Sequence, residues 1–131
     1  RNIALVAFTA DGDVFGGFYS VAVTEDQKFF HDPNIFVFSF ESHGRCVTPQ
    51  RFVVRVSVRS SKCVLFWRSY SNVWFVNVGG NNGYLLLGNE KTNTKCCHLS
   101  SGFVGIENTT LTGKPNCERF TCTRIVAVHL Q

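Results

Sequence analysis

Every apolar run in this chain is short and is closed by turn-forming residues, and no stretch carries the periodicity of an amphipathic helix. The sharpest case is Gly79-Gly80-Asn81-Asn82-Gly83, which leads directly into Tyr84-Leu85-Leu86-Leu87-Gly88. Glycine and asparagine accept backbone angles that other residues avoid, so the chain reverses here or lays backbone against backbone. Four apolar residues in a row are too few for a helix and read as a strand covered on both faces. Such a strand needs partners, and the remaining runs supply them.

Ile3 to Phe8 and Val14 to Val23 flank Ala10-Asp11-Gly12-Asp13, a hairpin signal. Gly16-Gly17 inside the second run marks a bulge or an aromatic ring lying on bare backbone. Residues 24–34 read as a surface loop, and Ile35 to Phe40 as the next strand. In residues 51–59 strict alternation places Phe52, Val54, Val56 and Val58 on one face and Arg51, Arg55 and Arg59 on the other. That predicts a half-exposed strand with a basic stripe, extended by Arg45, Lys62 and Arg68. Cys63 to Trp67, Asn72 to Val78 and Cys122 to Leu130 complete the strands, and Leu99 to Gly113 reads as loop. The fold class is all-β: an antiparallel two-sheet β-sandwich with at most short helices in loops.

At 131 residues this is one domain, residues 1–131, large enough to bury a substantial core. No apolar run approaches the ~20 residues of a membrane-spanning helix. A net charge of +4 suits an acidic protein partner and is too small to argue for nucleic acid. Arg1-Asn2 runs straight into a strand without a signal peptide, so the chain reads as cut from something longer.

Four blocks in order resemble the TLDc domain family. They are the hairpin through Gly16-Gly17-Phe18, Asp32-Pro33-Asn34 before Phe36-Val37-Phe38-Ser39-Phe40, Gly79-Gly80 through Leu87, and Thr109-Thr110-Leu111-Thr112-Gly113 before a closing strand. The chain corresponds to the C-terminal three quarters of that domain. It departs from the family in lacking a tryptophan in Tyr84-Leu85-Leu86-Leu87 and an aromatic at Val126-Ala127, and in having no N-terminal helical segment. The resemblance implies a sandwich flanked by short helices in cytoplasmic proteins linked to oxidative-stress resistance. Several family members bind the vacuolar proton-pumping ATPase, the V-ATPase; no catalytic residues or cofactors are implied. Without its N-terminal segment one sheet would expose an apolar surface, for a second copy (a homo-oligomer) or a removed segment to cover.

Each chemical candidate has a plainer reading. Cys96-Cys97-His98 with Cys117 and Cys122 has zinc-ligand residue types, but its spacing fits no common finger, so no metal is expected. Cys96 and Cys97 as redox thiols gain support from flanking Lys95 and His98, because positive charge favours thiolate. The plainer account is two residues filling space at a strand end. The six cysteines are expected mainly reduced, since a core of this size needs no staples. Asp11 and Asp13 read as turn formers, Glu90 as a solvated loop carboxylate and His129 as a packed or surface residue. The arginine stripe Arg51, Arg55 and Arg59 is the best partner-binding candidate, beside the alternative that it merely keeps a strand from aggregating. Asn108-Thr109-Thr110 is a glycosylation sequon and supports a rival, a secreted disulfide-bonded glycan-binding sandwich. A hydrolase is the third reading, and it requires a nucleophile, base and oxyanion donors to converge.

Overall fold

Ten strands follow the turn punctuation: β1 Ile3–Thr9, β2 Val14–Tyr19, β3 Phe30–His31, β4 Phe36–Glu41, β5 Gln50–Val53, β6 Cys63–Phe66, β7 Trp74–Val78, β8 Tyr84–Gly88, β9 Lys95–Cys97 and β10 Cys122–His129. A 3₁₀-helix spans Val56–Ser61, and a single turn, α1, spans Leu99–Gly102. The structure is a computed structural model, and it describes residues 1–67, 74–88 and 94–131. The strands form two antiparallel five-stranded sheets, ordered β10-β1-β2-β4-β5 and β3-β6-β7-β8-β9. The fold is the all-β sandwich that the short apolar runs require.

Register explains the core. Across the first sheet, Ala127, Leu5, Gly17, Val37 and Phe52 lie side by side. Across the second, Phe30, Val64, Val78, Leu85 and Cys96 do the same. Leu5, Val37, Phe52, Val64, Val78, Leu85 and Cys96 belong to one buried cluster, which therefore draws on both sheets. Gly17 is a point of close approach: a Cβ there would sit 3.0 Å from Val78 Cγ1 on the opposite sheet. Leu85, Leu86 and Leu87 are all buried, so β8 is covered on both faces as its composition suggested.

The glycine loop behaves as expected and gains an unexpected anchor. A Cβ at Gly83, where φ is +97°, would collide with the backbone of His98 and Gly102, so loop and α1 meet backbone to backbone. Lys62 is fully buried and donates from Nζ to the carbonyls of Asn82 (2.6 Å) and Gly83 (2.7 Å), with the Phe103 ring centroid 4.8 Å away.

The alternation in residues 51–59 is overturned. β5 ends at Val53, Val54 makes only an isolated bridge with Phe103, and Arg55 N donates to Gly102 O at 2.9 Å. The chain then winds through the 3₁₀-helix, with Val58 N bonded to Arg55 O and Lys62 N to Arg59 O. This segment carries the chain from one sheet to the other and delivers Lys62 to its buried site. Val58 touches the core, whereas Val56 stands 77% exposed. Arg51, Arg55 and Arg59 therefore do not share a strand face. The 24–34 loop also needs correction, since it contains β3 and the fully buried Asp32.

Candidate functional site

The outward face of the first sheet is where this sandwich departs from the usual pattern. An antiparallel sheet with one packed face ordinarily shows polar residues on the other. Here one outer row reads Val126, Val6, Gly16, Phe38, Arg51, and the next reads Val128, Ala4, Phe18, Phe36, Val53. A third row, at the hairpin end, reads Arg124, Phe8, Val14, Glu41. The continuous apolar runs of β1, β2 and β4 encode this directly, because both parities of each strand are hydrophobic. Ala4, Val6 and Phe38 form a small cluster of their own, distinct from the inter-sheet core. By contrast, the outer row of the second sheet reads Leu65, Asn77, Leu86, Lys95.

Gly16 shapes the face. With no side chain there, the Phe38 ring lies over its backbone, so the aromatic-on-glycine reading of Gly16-Gly17 holds. The β2–β4 irregularity itself falls between Val14 and Phe15. A groove of about 330 Å³ results, floored by Ala4, Val6 and Phe38 and walled by Phe36 and Phe40 on one side and Val128 and Leu130 on the other. Its walls are open: Phe40 is 51%, Leu130 41% and Val128 39% exposed. Arg51 borders this groove and also a neighbouring hollow of about 500 Å³, where Arg59 joins it. The Arg51 guanidinium lies 5.4 Å from the Phe36 ring centroid and that of Arg124 lies 5.5 Å from Phe8, so cations rest on the rims of the aromatic surface. Among the described residues no carboxylate lies within ion-pair distance of Arg51, Arg59 or Arg124.

The structure thus brings Arg51 and Arg59 together and sends Arg55 elsewhere. Arg55 donates from Nε to Ser100 O at 2.8 Å, fastening the 3₁₀-helix to α1. Of the residues read as extending the stripe, Lys62 is buried, Arg45 is bound to Asp13, and Arg68 lies outside the described residues, as does Glu90.

Cys96 and Cys97 part company. Cys97 forms a disulfide with Cys117, with Cα atoms 4.5 Å apart, so the expectation of reduced thiols does not hold for that pair. Cys96 faces the core, where burial raises its thiol pKa far above the ordinary range and opposes thiolate formation. His98 takes a left-handed conformation, and its ring meets Asn116. Burial also raises the Cys63 thiol pKa, with the Lys62 charge pulling the other way. Among the described residues no three His, Cys, Asp or Glu side chains gather as metal ligands would. Asn108 is half buried, with Oδ1 accepting from Ser100 N and Oγ. His129 is exposed at the end of β10.

Asp13, read as a turn former, and Asp32, read as part of a surface loop, are both built into the fold. Asp13 is buried and accepts from Arg45 at 2.6 Å and His43 Nδ1 at 2.7 Å, while Arg45 also donates to the Thr110 and Leu111 carbonyls. Asp32 receives Ser20 N and Oγ, Val21 N and Asn34 N. Asp32-Pro33-Asn34 has the look of a turn, but apart from Asn34 the partners of both acids lie 11 or more residues away and have no local signature. Among the described residues none of the imidazoles hydrogen-bonds a hydroxyl or thiol; His31 meets Lys62 O, and His43 meets Asp13.

The fold and this face define a β-sandwich whose first sheet carries apolar residues on its outward face as well as its inward one. No family model matches the chain, and no curated protein matches it. Among the described residues no helix is long and apolar enough to cross a membrane.

Proposed function

We propose that the domain is a protein-interaction module without catalysis of its own, docking its partner on the outer face of the β10-β1-β2-β4-β5 sheet. The observation that carries this reading is the pair of adjacent apolar rows on the outward face, open to solvent at Val53, Val128 and the nearby Phe40, with arginines on its margins. Apolar patches of more than a few hundred Å² mark interaction sites in soluble domains. The ordered sequence blocks that resemble those of TLDc domains support the same class of role, and the resemblance would extend it to oxidative-stress resistance and to the V-ATPase as the partner.

The test is co-sedimentation with the purified peripheral sector of that ATPase, using the wild type and a Phe40→Asp/Val128→Asp variant. Both positions are partly open to solvent, so the variant stays folded by circular dichroism while losing the partner. Equal recovery of the ATPase by both chains would remove this face from consideration.

A second reading has one observation in its favour. The Cys97–Cys117 bridge belongs more naturally to an oxidising compartment, which suits a secreted glycan-binding sandwich with a sugar on Asn108. A chain isolated from its native cell with two hydrogens fewer than its reduced mass and a glycosidase-sensitive increment would select that reading.

A further inference from the structure

We propose that the groove receives an amphipathic α-helix of a partner protein, with an apolar stripe edged by carboxylates; this deepens, and rests on, the docking reading above. The face between the groove walls is wide enough for one helix to lie along it, with its apolar side chains entering the groove. Its walls stand on β10 and β4, which are separated by β1 and β2, so three strand spacings of about 4.8 Å give about 14 Å between wall backbones. A helix with its side chains is about 10–12 Å across. Ala4 and Val6 on β1 and the Phe38 ring, which lies over bare Gly16 on β2, floor the trough. A β-strand would instead add at a sheet edge, where backbone groups are unpaired, and would leave this face uncovered.

Charge selects the flanks of that helix. Arg51 and Arg59 border the β5 side and Arg124 the β10 side, against the single acid Glu41 in the hairpin-end row. Two copies meeting face to face would set this cation-rich rim against itself, which disfavours a second copy as the occupant. Carboxylates beside the apolar stripe of a helix meet the guanidinium groups with bidentate geometry available.

Three fluorescein-labelled peptides of about 15 residues, matching the roughly 23 Å length of β1, test this by anisotropy against the 131-residue chain. One carries leucines at helical spacing edged by glutamates, one has lysines for the glutamates, and one has the acidic composition in scrambled order. The acidic amphipathic peptide binds at least about tenfold tighter than either control and gains helical circular dichroism on binding, and the Phe40→Asp/Val128→Asp variant loses that preference. Equal binding of the scrambled peptide, or no binding by any, overturns the helix. If in that event the same variant still loses the ATPase, docking on this face stands and only the class of occupant falls. A wild-type dimer in light scattering that becomes monomeric in the variant would assign the face to a second copy and overturn the proposal.

Discussion

Lys62 holds the glycine loop through two carbonyls, and its burial lowers its pKa to about 8. A neutral amine still donates both hydrogen bonds, so the loop stays held when the proton leaves. Below about pH 8 the side chain is charged in folded and unfolded chains alike, and the folded state bears the full cost of desolvation. From there towards the unfolded value of 10.5 the unfolded chain binds more protons, so this contribution to stability rises with pH. Cys63, Cys96, Cys122 and Tyr19 act in the opposite sense, because burial raises their pKa values and the folded chain keeps protons that the unfolded chain sheds. The measurable quantity is therefore a difference. Urea denaturation should show the wild type gaining on Lys62→Met by on the order of 2 kcal/mol between pH 7.5 and pH 10. A difference that stays flat over that window would mean the amine keeps its proton when buried.

At the level of elements, β2 depends on the absence of a side chain at Gly16. A Cβ there would run into the Leu5 carbonyl on β1 and the Phe38 ring, so Gly16→Ala forces β1 and β2 apart or unseats Phe38. Overpacking of this kind costs about 2–3 kcal/mol, and thermal unfolding of the variant should register it as a clear drop in melting temperature. A neutral result would place the Phe38 ring elsewhere. The glycine pair is legible in the sequence because a glycine inside an apolar run gives up side-chain burial, which suits a place where a ring or a neighbouring backbone must come close. Strands β1, β2, β4, β8 and β10 are equally legible, since each is a hydrophobic run bounded by turn residues. Residues 51–59 are not. Alternation over nine residues is satisfied as well by a four-residue strand followed by a 3₁₀ turn that happens to place Val58 inward, and the local sequence has no glycine or proline to mark the change. The deciding contacts are distant: the 102–104 segment pairs beside Val53 and Val54, and the glycine loop pulls Lys62 inward. The two acids are illegible for the same reason, because Asp13 and Asp32 owe their burial to residues far along the chain.

For the molecule as a whole, this re-sorting of the arginines turns one charge-reversal experiment into two with opposite outcomes. Arg51 and Arg59 border the docking face without a carboxylate partner among the described residues, whereas Arg55 is committed to Ser100 O beside α1. Reversal of Arg51 and Arg59 to glutamate should weaken an acidic partner by about tenfold or more, chiefly in association at low salt, and should leave stability within about 0.5 kcal/mol. Reversal of Arg55 should do the converse: binding is kept, and stability falls by about 1 kcal/mol as the hydrogen bond tying the 3₁₀-helix to α1 is lost. A stripe read by one partner along a single strand would make the three positions equivalent. The sandwich requires them to differ, because the chain leaves the first sheet between Arg51 and Arg55, and the ionic-strength dependence of each variant's binding separates the two cases.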